Sequence, residues 1–183
     1  MSGRRRLLGW VLLVCWLVWL QATRGWLGAR VLPTAWAPDL GLLLFLAVAA
    51  RLDARLLHRQ GPGYVGLVLA AAGAEVALSI QAAAPVLAGW VGVLLWQNLW
   101  RRGVDVERPL LRILIAGSAA WALVLWRDLV QGLDLAAGVA IDAPVALGGD
   151  GAWRGVLATA ALAPVLMPLL LGLPGLGLYV GRR

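Results

Sequence analysis

From Gly63 to Arg102 the chain runs for roughly forty residues with one acid, Glu75, in the interior, and an α-helix crosses the ~30 Å core of a bilayer in about 20 apolar residues. A stretch of that length makes two crossings, with Gln81–Pro85 as the turn between them. Arginines close both ends, Arg51, Arg55 and Arg59 before the stretch and Arg101 and Arg102 after it. A hairpin of two membrane helices pinned by basic clusters constrains everything else in the chain.

The remaining composition agrees with that reading. Of 183 residues, 62% are hydrophobic and 14% charged, too little charge for the surface of a soluble domain. Several apolar runs approach or exceed a crossing, which predicts an all-α, multi-pass membrane protein folded as a single transmembrane domain over residues 1–183. The net charge is +7, and all sixteen basic residues are arginine. They form short clusters between apolar runs rather than one stripe, which argues against nucleic acid as a partner. Cys15 stands alone in an apolar run, so no intramolecular disulfide is expected and a small buried hydrophobe is. His58 is also alone, so no zinc or haem site is expected.

Met1–Gln21 combines Arg4, Arg5 and Arg6 with an apolar run, as a signal peptide does. Bulky Trp10, Trp16 and Trp19 fill that run and no small-x-small site closely follows it, so an uncleaved first crossing is expected. Six helices follow from the pattern, at about 7–23, 36–50, 64–80, 84–100, 110–126 and 155–180. Pro38 suits a first helical turn and Asp39 the positive end of the helix dipole. Gly61-Pro62-Gly63 is expected to break the chain before helix three. Arg127–Arg154 reads as a long connection, with an optional short interfacial helix at Val130–Ile141 and Arg127-Asp128 as an interfacial pair. Pro164, Pro168 and Pro174 predict a kinked or partly broken sixth helix. Alternating six helices from a cytoplasmic N-terminus places twelve arginines inside and four outside, the four being Arg24, Arg30, Arg127 and Arg154. The positive-inside rule selects that orientation, with both termini in the cytoplasm.

Small residues recur along the third helix at Gly66, Ala70, Gly73, Ala74 and Ala77, which suits close helix approach. Most of the tryptophans of the fourth helix (Trp90, Trp96 and Trp100) are expected near the membrane interface or against lipid. Gln97 and Asn98 are expected to cap or to make interface contacts near the inner face. Glu75 is the sharpest functional candidate, because an ionisable group in the membrane interior is functional by default. Three readings stay open for it: a hydrogen-bonded carboxyl holding helices together, an ion pair with a partner subunit, or proton coupling. Asp39, Arg101 and Arg102 join Glu75 as partner-contact candidates, Asp39 with a helix-start acid as its plainer reading. Walker, GxSxG and HExxH motifs are missing, and no nucleophile has a base beside it. A non-enzyme without catalytic residues, metal or cofactor is expected.

Ala37-Pro38-Asp39-Leu40-Gly41-Leu42-Leu43-Leu44, running on to Arg51, resembles the Pro-(Asp/Asn)-aliphatic helix of the bacterial rod-shape-determining protein family MreD. The hairpin that starts at Gly63 and Gly66, carries an acid late in helix three and ends at Arg101-Arg102 is similar as well. Two features depart from the family: Glu75 stands where Asp is usual, and Ala84-Pro85-Val86 replaces a Pro-Leu-Gly-type turn. The clearer likeness covers about Trp36–Arg112. The resemblance implies a non-catalytic inner-membrane scaffold of the cell-elongation machinery that supports cell shape and side-wall peptidoglycan synthesis. Its implied partners are an MreC-like bitopic protein, MreB-type actin, a RodA-type glycosyltransferase and a penicillin-binding transpeptidase, besides membrane lipid. The family's fold is similar to the substrate-binding subunits of ECF transporters, so a small-molecule-binding transporter subunit is the alternative function.

Overall fold

The computed structural model describes residues 3–30, 36–52, 57–78, 82–103, 108–136 and 152–176. It is all-helical, with six helices and no strand among the described residues: α1 (Gly3–Arg30), α2 (Leu40–Arg51), α3 (Leu57–Leu78), α4 (Ala83–Gly103), α5 (Pro109–Ala136) and α6 (Ala152–Leu170). Two of them, over Pro109–Leu133 and Ala152–Leu170, are long and apolar enough to cross a membrane.

The short α2 is the centre of the bundle. Its 12 residues, LGLLLFLAVAAR, carry no polar group before Arg51, and Gly41 through Ala49 are all buried. A helix apolar all round needs neighbours all round, and α1, α3, α4, α5 and α6 each pack against it. Gly41 lets α1 come close, since a Cβ there would stand 2.9 Å from Gln21 Cγ. The helix starts later than position 36. Trp36 instead opens an irregular segment in which Ala37, Pro38 and Asp39 are buried, and Asp39 is the N-cap, its Oδ1 accepting from Leu42 N at 2.9 Å. Leu40 N–H donates back to Pro38 O at 3.1 Å, and the aspartate side chain satisfies an orphan N–H of the first turn.

Cross-helix contacts fix the alternation. Asp39 meets Thr159, Leu46 meets Gln97, Leu52 meets Tyr64, Trp96 meets Ser118 and Trp126 meets Pro85. Successive helices therefore run antiparallel. The starts of α1, α3 and α5 share one end with the finishes of α2, α4 and α6. Arg4, Arg51 and Arg108 are exposed at that end.

Other expected boundaries shift as well. α3 begins at Leu57 and runs through Pro62, the sixth residue of the helix, at the cost of one backbone hydrogen bond in its second turn. α5 continues ten residues past Trp126, through Arg127 and Asp128, so that pair does not end the helix. α6 is helical through Pro164 and Pro168 to Leu170, and the expected end at Val180 lies outside the described residues. Turns at 171–175 follow, with Gly172 N donating to Leu169 O at 3.0 Å. Gly175 there has φ +86°, and the side chain of Leu12 lies where its Cβ would be. α1 is one helix of 28 residues, and Cys15 is exposed on it rather than buried, because Leu13 and Leu17 take the inward positions.

The outer faces of the surrounding helices are apolar too. Leu87, Val91, Leu95 and Leu99 are exposed at helical spacing along α4, and Leu110, Leu114, Trp121, Leu125, Leu129 and Leu133 along α5. Leu95 is 64% and Leu110 74% exposed.

Candidate functional site

The site grows out of the way α3, α4 and α5 meet. On α4, Gly89 leaves a gap that the Trp126 ring of α5 fills; a Cβ at Gly89 would stand 2.9 Å from Trp126 Cδ1. The indole N–H of Trp126 then donates to Pro85 O at 2.8 Å, seating α5 against the start of α4. The next residue on α5, Arg127, reaches across to α3, where Glu75 lies among Ala71, Ala72 and Ala74, all buried. These small neighbours keep the carboxylate from being walled off by its own helix.

Glu75 Oε1 accepts from Arg127 Nε at 2.9 Å and from Arg127 Nη2 at 2.6 Å. Glu75 Oε2 accepts from Trp90 Nε1 at 2.8 Å. Trp90 is fully buried and its ring lies 4.8 Å from Phe45 of α2. Three helices thus converge on one carboxylate, which is 13% exposed against 15% for Arg127. Both oxygens are occupied by N–H donors, and the charges of the pair cancel. A charge-assisted bond of this kind is about twice as strong as a neutral one. The adjoining cleft is lined by Pro85, Val86, Gly89, Leu123, Trp126 and Val130 besides the ion pair. Its free space is about 10 Å³, room for about one water molecule. The arrangement can lock three helices in register; it presents no nucleophile and no paired acid and base.

The other candidates do not join this site. Asp39 is 8% exposed. Its N–H donates to Thr159 Oγ1 at 2.9 Å, and Thr159 in turn donates to Gly155 O at 2.7 Å. Trp36, three residues earlier, stacks edge-on against Trp153 at 6.1 Å. Thr159 lies six residues below Trp153 on α6, so Asp39 sits about 9 Å beneath that tryptophan pair, well inside the bundle. Arg101 and Arg102 fall on the last turn of α4, and their side chains lie outside the described residues. The side chain of His58 also lies outside them. No group of three His, Cys, Asp or Glu is placed to hold a metal among the described residues.

Arg127 and Gln97 have roles that differ from expectation, and Trp90 is a tryptophan of α4 that turns inward. Trp90 is wholly buried, not lipid-facing, because its N–H has an internal acceptor in Glu75. Arg127 pairs with Glu75 rather than with its chain neighbour Asp128, because the helix carries it over α3. Gln97 is buried in the core, its Nε2 donating to Leu46 O of α2 at 2.8 Å. An apolar run that continues past Trp126, with Leu129, Val130 and Leu133 and no Gly or Pro until Gly132, is the signal that Arg127 belongs to a helix.

The chain matches no protein-family model, no curated protein and no solved structure.

Proposed function

We propose that the chain is a six-crossing membrane protein and a non-catalytic scaffold of the bacterial cell-elongation complex. The observation that carries the reading is the double apolarity of the collar around α2. Helices hydrophobic on both the inner and the outer face belong in a solvent as apolar as their own core. Two helices have the length to cross alone. In α1 and α3 the apolar parts, Leu7–Thr23 and Pro62–Leu78, are about 25 Å long and reach nearly across. α2 is only about 18 Å long, but Ala37–Asp39 approach it as buried, irregular chain. Irregular backbone is tolerated at membrane depth where protein covers it. The arginine-rich end that holds the start of α1 faces the cytoplasm, which puts Glu75 and Arg127 in the outer half of the bundle.

The segment resembling the MreD family, Ala37–Leu44, is the entry into that central helix, so the likeness falls on the part of the chain that organises the fold. Partner contacts run over the apolar outer faces and the arginine ends, with Glu75 and Asp39 shaping the bundle from within. An MreC-like bitopic protein, RodA-type and transpeptidase partners and MreB-type actin are the proposed assembly. The cleft beside Glu75 has room for about one water, which speaks against it as the pocket of a transporter subunit. Purification from the native membrane in mild detergent tests the reading. Co-purification of an MreC-like protein, together with cell rounding on depletion, is the expected result. Recovery of a transport ATPase module with normal cell shape would overturn it.

A further inference from the structure

The apolar part of α5, Pro109–Leu133, spans 25 residues, about 37 Å of helix against a bilayer core of about 30 Å. The excess lies at one end. Gly117 abuts Ala160 of α6, so the start of α6 at Ala152 is level with about Leu125. Trp126 bonds to Pro85 O, two residues from the start of α4. Trp126 and Trp153, with Trp36 against it, stand at nearly one level, as an aromatic belt does at a membrane interface. Leu129 and Leu133 lie about 5 and 10 Å beyond that level, yet they are 55% and 61% exposed. They continue the exposed stripe of Leu110, Leu114, Trp121 and Leu125. Lipid covers the lower part of that stripe, but a headgroup layer is only about 5–7 Å deep, so Leu133 is out of its reach. Asp128 shares the stripe, three residues from Leu125 and four from Gly132. Its carboxylate has no hydrogen bond or ion pair among the described residues. A Cβ at Gly132 would meet nothing within 4 Å, which leaves a flat place beside the acid.

We propose that this stripe docks one helix of a bitopic partner, which crosses the membrane beside α5, continues past the outer interface and sets a lysine or arginine against Asp128. The stripe passes through the aromatic belt unbroken, so one continuous helix covers all of it, whereas an occupant confined to the lipid leaves Leu133 in water. An apolar surface outside the membrane calls for a protein cover, and the acid sets the sign of the charge on it. A second copy of this chain fits less well. Two copies related by a two-fold axis along the membrane normal lay α5 parallel to α5, with Asp128 facing Asp128. Residues 137–151 of the chain itself contain no base. The inference rests on the membrane-crossing reading and names the face on which the scaffold's partner lies.

The test places a photo-crosslinking residue at Leu129, at Leu133 or, on the outer face of α4, at Leu95, in the full chain in its native membrane. Each adduct is identified by peptide mapping. The expected result is that Leu129 and Leu133 capture successive turns of one single-span chain, just outside its span and next to a lysine or arginine, while Leu95 captures lipid. Asp128→Lys is expected to lower that capture roughly tenfold, because like charges then meet. Replacing the partner's base by aspartate is expected to restore it, which also shows that the variant still folds. Lipid or a second copy of this chain as the only adduct at Leu129 and Leu133 would overturn the proposal, as would capture that Asp128→Lys leaves unchanged. Extraction of the chain by alkaline carbonate would remove the membrane on which the docking depends and overturn both readings. Normal cell shape on depletion, with the capture intact, would overturn the scaffold role alone and leave the docking standing.

Discussion

From Gly41 to Ala49, α2 is buried on every side without a charge, whereas one helix away α3, α4 and α5 are tied together by a carboxylate and a guanidinium. The two regions touch at Phe45 and Trp90. In the first, many weak contacts with no preferred direction hold the helix, so any single one matters modestly. In the bilayer proposed for the bundle, burying α2 gains packing rather than escape from water, since lipid is as apolar as a leucine side chain. In the second, a few directional bonds fix how far α5 slides along α3, and each depends on the others. The apolar centre supplies bulk cohesion and the charged corner supplies register.

That contrast predicts a ranking. Arg127→Met should be the most damaging single change, about 3–5 kcal/mol, because it strands a buried carboxylate with Trp90 alone; reversible unfolding in mixed micelles measures it. Leu43→Ala, at the heart of α2, should cost about 2 kcal/mol, the low end of the Leu→Ala range, since only the cavity matters when the solvent is lipid. A larger loss from Leu43→Ala than from Arg127→Met would reverse the comparison. Gly89→Ala should cost about 1–2 kcal/mol by pushing the Trp126 ring out of its gap, with a change in Trp126 fluorescence reporting the movement. Asp39→Ala should cost about 1 kcal/mol as a lost N-cap. Leu95→Ala on the outer face should stay within about 0.5 kcal/mol, provided lipid covers that face.

The number of helices was legible because apolar runs and arginine clusters alternate so plainly. Asp39 was legible as a helix-start acid, since Pro-Asp ahead of an aliphatic run is a local signal. The depth of Asp39 was not, because it depends on Trp36 standing against Trp153, more than a hundred residues away. Glu75 stood out as an acid in an apolar run, but its partner Arg127 lies 52 residues on. Arg127 followed by Asp128 looked like the edge of a membrane; only the continuation of α5 past the starts of α4 and α6 brings it over α3. The last ten residues of α5 add about 15 Å there. Which tryptophan of α4 turns inward was not legible either: Trp90 does, because a buried acceptor, Glu75, is offered to its N–H.

The most direct measurement is a double-mutant cycle on Glu75→Met and Arg127→Met, read by unfolding in mixed micelles. If the corner is a self-contained lock, the double variant will be more stable than either single variant, because no charge is left stranded. If the two losses simply add, Glu75 and Arg127 act separately, and there is no internal lock at the α3–α4–α5 junction.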